Sequence, residues 1–225
     1  MGSFKPRLDV LPGSQRSVWP QFASVPREFV LYGGTAVALR LGHRVSLDFD
    51  FFSSGPLNAD ALYATVPLLK DSTFVQREPD ALTVVVDRGD PVKVSFFGGI
   101  TIGCIDPPEI TDDGVLRVAS LRDLLGTKLK VLLQRVEAKD YLDIAALLRS
   151  GVSLGEGLGA AKALYEPQFP PSEALKTLVY FEGGDLETLD NEVKAYLIQT
   201  VQAFKGPVPT LTKTSAQSLT ADRIE

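Results

Sequence analysis

Hydrophobic and polar positions follow two regimes along this chain. Up to about Val118, short β-type runs surround one helical stretch, whereas from Leu121 to about Phe204 the helical period of 3.6 dominates. Phe29–Tyr32 is an apolar run closed by Gly33-Gly34. Thr35 to Leu41 then carries helix formers and stops at Gly42, which predicts strand, glycine turn and helix, with Thr35 as N-cap. Arg44 to Phe52 alternates, placing Ser46, Asp48 and Asp50 on one strand face and Leu47, Phe49 and Phe51 on the other. Asn58 to Lys70 reads as a helix broken at Pro67. Thr73–Arg77, Ala81–Val86 and Val92–Phe97 read as strands, and Asp87-Arg88-Gly89-Asp90-Pro91 joins the last two as a hairpin. The expected class is α+β.

In the second regime Ser120 is the expected N-cap of a helix, with Asp123 in its first turn. Apolar positions recur at Leu121, Leu124, Leu125, Leu129, Leu132 and Val136, yet Lys128 and Arg135 fall inside that arc. A second helix runs from Asp140 to about Arg149 and stops at Gly151. Its buried arc is Tyr141, Ile144, Leu147 and Leu148, and Asp143 shares a stripe with Leu147. Two cations and an aspartate are thus expected to face inward. From Lys205 onward the chain is rich in Thr, Ser and Pro, which predicts a flexible tail. The division is an α/β core over 1–118, a helical region over 119–204 and a tail over 205–225.

Composition narrows the function classes. A chain of 225 residues with 44% hydrophobic residues can build its own core. Its single cysteine, Cys104, argues against a secreted disulfide framework and for a small buried hydrophobe in a reducing, cytoplasmic setting. Neither a signal-peptide stretch nor a window of about 20 apolar residues is present, so no membrane partner is expected. The net charge of −5 excludes a broad electropositive coat, so any nucleic-acid contact has to be local. Arg40, Arg44, Lys128, Lys130, Arg135 and Lys139 are the residues that could supply a basic strip.

Aspartates two apart on a strand have Cα atoms about 6.6 Å apart, close enough for both carboxylates to serve a hard cation. Upstream, Gly33 and Gly34 let backbone amides approach phosphate oxygens at a helix N-terminus. Taken singly, each part has a plainer reading: a turn at the glycines, a solvated strand face at Asp48 and Asp50, a snorkelling side chain at Lys128. His43, the only histidine, reads as a loop residue. Together they ask for phosphoryl transfer, in which metal ions neutralise developing charge and the protein positions groups.

Tyr32-Gly33-Gly34-Thr35-Ala36, followed by Leu41 through Phe52, resembles the first motif of the AbiEii toxin family of nucleotidyltransferases. Val92 to Phe97 is similar to a strand of one branch of that family. Ser120 to Leu129, Arg135 and Lys139-Asp140-Tyr141-Leu142-Asp143-Ile144 resemble its later lysine and Lys-Asp-x-x-Asp motifs. The resemblance implies a polymerase-β-like mixed-sheet domain followed by a mainly helical region that completes the active-site cleft. The setting it implies is the toxin of a type IV toxin–antitoxin or phage-defence pair, with a cognate antitoxin as partner. It also implies a nucleoside triphosphate (NTP) substrate, Mg²⁺ or Mn²⁺, and RNA as acceptor, in characterised cases the acceptor end of transfer RNA. By motif, Asp48 and Asp50 are implied as metal ligands; Gly33, Gly34, Thr35, Arg44 and Ser46 as nucleotide-binding residues; and Asp48, Lys128 and Asp143 as catalytic residues. One feature departs from the wider superfamily, which places a third carboxylate on a neighbouring strand where this chain offers Lys93 and Ser95. Three readings stay open: Asp143 supplies the role, one metal suffices, or the chain is a catalytically silent nucleotide binder. A small molecule or a protein hydroxyl are the alternative acceptors.

Overall fold

The structure, a computed structural model, describes residues 2–70 and 72–221. Two compact units are present, Met1–Ser120 with Thr214–Glu225, and Leu121–Lys213.

The first unit is built on a mixed sheet. Its strands are β1 (Ser3–Phe4), β2 (Val30–Tyr32), β3 (Phe49–Phe52), β4 (Ser72–Glu78), β5 (Ala81–Asp87), β6 (Pro91–Phe97), β7 (Glu109–Thr111) and β8 (Arg117–Val118). They lie in the order β1-β7-β8-β2-β3-β6-β5-β4. The β5/β6 hairpin forms as the turn signal predicts, and β4 joins β5 antiparallel. β3 is antiparallel to β2 and parallel to β6. Aromatic packing fixes this centre. Phe22 lies 4.5 Å from the Phe49 ring and 5.4 Å from Phe51, which stacks on Phe96 at 5.1 Å. Such pairs favour the observed register, because slipping β3 by one residue would drive Asp50 into the aromatic face. The flanking helices are α1 (Gly13–Val18), α2 (Gly33–Leu41) and α3 (Ala59–Thr65). The break expected at Pro67 is a separate 3₁₀ turn over Pro67–Leu69, and Asn58 caps α3.

The second unit is helical: α4 (Leu121–Val131), α5 (Ala138–Arg149), α6 (Leu154–Tyr165), α7 (Pro171–Leu178) and α8 (Asn191–Ala203). Ser153 and Glu156 form a reciprocal capping box on α6. Among the described residues no helix is long and apolar enough to cross a membrane.

Three sequence expectations need correction. The alternating strand predicted from Arg44 begins only at Phe49, and Val45 and Leu47 are exposed. Thr35 does not cap α2, whose N-cap is Tyr32; the Thr35 hydroxyl is used elsewhere. The stretch expected as a flexible tail folds back from Thr214, with Thr214 N–H donating to the Cys104 carbonyl at 2.9 Å and Cys104 N–H to the Ser215 carbonyl at 3.0 Å. Leu219 is fully buried, and its N–H donates to Ser54 Oγ at 2.8 Å. One apolar anchor and a short backbone bridge outweigh a polar composition here. Residues 222–225 of the expected tail lie outside the described residues.

Candidate active site

β2 delivers the chain into Gly33, whose φ of +74° is the left-handed region that glycine tolerates. A side chain is excluded there twice over, since a Cβ would stand 2.9 Å from Asp50 Oδ2. Gly34 follows as the second residue of α2. Asp50 is held on β3 opposite Tyr32 and beside Ser95 of β6. Burial alternates through this stretch, with Phe49 and Phe51 fully buried while Asp48 is exposed and Asp50 half-buried. Asp50 therefore lies on the face of β3 away from the aromatic core, as the period-two pattern requires, while Asp48 stands exposed one residue before the strand.

The loop carrying Asp48 is pinned from two helices. Thr35, 1% exposed on α2, donates its hydroxyl to the Asp48 carbonyl and lies 2.8 Å from Ser46 Oγ. Buried Gln15 of α1 donates its amide to the Leu47 carbonyl at 3.3 Å and accepts from Ser14 Oγ at 2.7 Å. Thr35 and Ser46 are thus brought together with Asp48, but through its backbone, and Asp48 itself is exposed. Arg44 lies half-buried in the same loop, and its guanidinium donates to the Val45 carbonyl at 3.0 Å. Gln15 escaped the sequence reading because the partner it holds is 32 residues away.

On the strand beside Asp50, where a third carboxylate would stand, the residues are hydroxylic. Asp50 is level with Ser95, Ser95 with Thr83 of β5, and Thr83 Oγ1 donates to Ser95 Oγ at 3.2 Å. Among the described residues no group of three or more His, Cys, Asp or Glu is placed to hold a metal ion. Two aspartates still fit Mg²⁺ or Mn²⁺, which keep waters and are commonly held by one or two carboxylates plus substrate phosphates.

The second unit concentrates its charge in one buried cluster. Lys128 of α4 is 4% exposed and its Nζ lies 2.7 Å from Asp140 Oδ1 and 2.5 Å from Asp143 Oδ2. Both aspartates, one turn apart on α5, are completely buried. Arg135 closes the cluster side-on, Nε at 2.8 Å from Asp140 Oδ2 and Nη2 at 3.1 Å from Oδ1. Burial raises the Asp140 carboxyl, but the Arg135 hydrogen bond and the Lys128 charge outweigh it and hold the group below the usual carboxylate range. Burial, then the Asp140 charge, push the Tyr141 phenol up to about 12, and its hydroxyl bonds to the Thr177 and Tyr180 carbonyls. The inward positions read for Lys128 and Asp143 are present, whereas Arg135, expected on the same helical arc, lies beyond the end of α4 and is half-exposed. Asp140 was visible only as part of a motif, because its burial depends on packing between helices rather than on its own helical wheel.

Three of the cations read as a basic strip are engaged within their own units. Arg40 is spent internally on the Ala119 and Val118 carbonyls, on Glu109 at 2.5 Å, and on the Phe4 ring. Lys128 is enclosed by aspartates, and Lys130 donates to the Gln168 carbonyl at 2.8 Å.

The mixed sheet, with a glycine turn ahead of the Asp50 strand, is a fold found in a solved structure. It resembles, at a TM-score of 0.56 and 19% identity, a solved H. pylori protein provisionally assigned as a nucleotidyltransferase, over 84% of this chain and 90% of that one. The nucleotidyl transferase AbiEii toxin family, of type IV toxin–antitoxin systems, matches residues 22–169, and the chain belongs to it. It is a nucleotidyltransferase of that toxin family. An uncharacterized protein of Aquifex aeolicus (strain VF5) is 30% identical over 184 residues, covering 80% of this chain and 86% of that protein. MenT4, a nucleotidyltransferase toxin of Mycobacterium tuberculosis H37Rv, aligns over 84% of this chain at 12% identity and a TM-score of 0.49.

Proposed function

We propose that this enzyme moves a nucleoside monophosphate from an NTP to RNA, with the acceptor end of transfer RNA as its acceptor. The observation that carries this reading is the pinned Asp48 loop. Two buried side chains, Thr35 and Gln15, hold its carbonyls while Asp50 lies against Gly33, so the backbone that carries the two aspartates is fixed before any ligand arrives. Such preorganisation is what phosphoryl transfer asks of a protein. Asp48 and Asp50 would hold Mg²⁺ or Mn²⁺, and the ion would supply charge neutralisation at the phosphates. Gly33, Gly34, Thr35, Ser46 and Arg44 shape the nucleotide end of the first unit; Lys128 and Asp143 belong to the charged core of the second. RNA as acceptor and the antitoxin as partner rest on the family.

The hydroxyl row beside Asp50 favours one second reading, a nucleotide binder without transfer, because Ser95 cannot ligate a second metal as a carboxylate does. The test is transfer of label from each α-³²P NTP to total cellular RNA, protein and small molecules, with Mg²⁺ or Mn²⁺, by wild type and Asp48→Ala. Label on RNA that is lost in the variant supports the proposal. Nucleotide binding with no labelled product supports the silent binder, and label on another acceptor replaces RNA.

A further inference from the structure

We infer that Lys93, on β6 beside the two aspartates, is the cation that the first unit offers to the phosphates of the nucleotide, and that it supplies the charge a second metal ion would otherwise bring. The inference rests on the NTP substrate proposed above and adds a residue to that site; every residue it uses lies within the first unit.

Sheet register places Lys93. β3 and β6 run parallel, with Phe49 level with Val94 and Asp50 with Ser95. One residue before Val94, Lys93 stands at the end of β3 where the chain carries Asp48. Alternation then assigns its face. Val92, Val94 and Phe96 are fully buried, so Lys93 and Ser95 project from the opposite side of β6, the side of Asp50. Adjacent strands are about 4.8 Å apart, a gap that the four-carbon stem of a lysine spans. Lys93 is exposed, and among the described residues it makes no hydrogen bond or ion pair. Its cross-strand neighbour on β5 is the half-buried Val85, and the acid that follows on that face, Asp87, accepts from Gly89 N–H at 3.0 Å.

The charges of the unit agree with this role. Arg40 and Arg44 are already engaged, on the Glu109 carboxylate and the Val45 carbonyl, whereas the Lys93 ammonium is unspent. Level with Asp50, the β6 residue is Ser95, 2% exposed, whose hydroxyl accepts from Thr83 Oγ1 at 3.2 Å. A serine brings no charge. In two-metal phosphoryl-transfer sites a further carboxylate holds a second divalent ion, and acid and ion together add one positive charge. An ammonium adds the same charge without the acid, and lysine suits phosphate because its point charge needs no fixed geometry. Lys93 together with a single ion on Asp48 and Asp50 would therefore give the site the charge of a two-metal one.

Calorimetric titration of the full chain with nucleoside, nucleoside monophosphate and NTP in Mg²⁺ tests the assignment, on wild type, Lys93→Gln, Lys93→Arg and Lys5→Ala. Lys93→Gln should weaken NTP binding roughly 10- to 100-fold, the range of charge-assisted hydrogen bonds. Its nucleoside affinity and melting temperature should stay near wild type, because Lys93 holds no partner among the described residues. Lys93→Arg should keep most of the affinity, since charge rather than a rigid plane is what the phosphates require here. Lys5→Ala removes an equal charge just beyond β1, at the far edge of the sheet, and should leave NTP affinity near wild type. Equilibrium dialysis of the wild-type NTP complex with Mn²⁺ should find one bound ion. Wild-type NTP affinity in Lys93→Gln overturns the inference, as does an equal loss in Lys5→Ala, which would make the effect one of net charge. Two Mn²⁺ ions per complex would overturn the charge replacement. Failure of the wild-type protein to bind any NTP would instead overturn the proposed function, and with it the inference that rests on it.

Discussion

The Asp50 carboxylate lies against Gly33, so near that a Cβ at position 33 would stand 2.9 Å from Oδ2. One residue type therefore satisfies two demands at once, a φ of +74° and room for a candidate metal ligand. Gly33→Ala should cost about 1–3 kcal/mol, from left-handed backbone strain and displacement of the carboxylate. Activity should fall further than stability does, because Asp50 moves even in the molecules that stay folded. Urea denaturation and label transfer on the same preparation would measure both, and a variant of unchanged activity would show that Asp50 need not stand where Gly33 lets it.

Thr35 links α2 to the loop of Asp48 through a single hydroxyl. Thr35→Val keeps the shape and removes the donor, leaving Ser46 Oγ and the Asp48 carbonyl short of a partner at a cost of about 1–3 kcal/mol. Thr35→Ser keeps the hydroxyl and loses one methyl, about 0.8 kcal/mol of burial. Transfer should be retained in the serine variant and strongly reduced in the valine variant. Equal activity in both would mean that the pin is not what positions Asp48.

The legible parts were those written in local periodicity. The β5/β6 hairpin, the Gly33 turn and the inward stripes of Lys128 and Asp143 each follow from neighbours within a few residues. What escaped depended on distant partners. The alternation at Val45 and Leu47 promised strand, but among the described residues no strand pairs with that stretch, and side chains from α1 and α2 take its polar groups instead. Arg40 looked like a surface cation because its carbonyl and carboxylate acceptors and its aromatic partner lie elsewhere in the sequence. The fold-back after Thr214 depends on Cys104, more than a hundred residues earlier.

Acid should loosen the second unit through Asp140. Its carboxyl titrates below the usual range in the folded protein, so its contribution is complete above the unfolded value of about 3.9 and is lost as pH falls through the lower folded value. Asp140→Asn leaves Lys128 and Arg135 with one fewer charge partner in a buried cluster, at about 3–5 kcal/mol near neutral pH. The gap between variant and wild type should narrow as pH drops below about 4. Urea midpoints measured from pH 7 to pH 3 would show it, and a gap independent of pH would mean that charge at Asp140 is not what stabilises the unit.

The fold-back of Thr214 to Ala221 covers Cys104, the single thiol, which is 1% exposed. Gly103 allows the approach: its φ is +71°, and a Cβ there would overlap the Ser215 carbonyl oxygen and stand 2.6 Å from that of Ala216. Gly103→Ala should therefore lift this segment without touching the aromatic core around Phe51 and Phe96. The Cys104 thiol should then react with a disulfide reagent at least tenfold faster than in wild type under native conditions, because access is governed by local opening rather than global unfolding. A Leu219→Ser variant provides an independent check, since it removes the buried apolar anchor and leaves the backbone at Gly103 unchanged. Both variants should speed the thiol reaction while the urea midpoint of the second unit stays in place. Slow thiol reaction in both would mean that the strands around Cys104, and not residues 214–221, are what shield it.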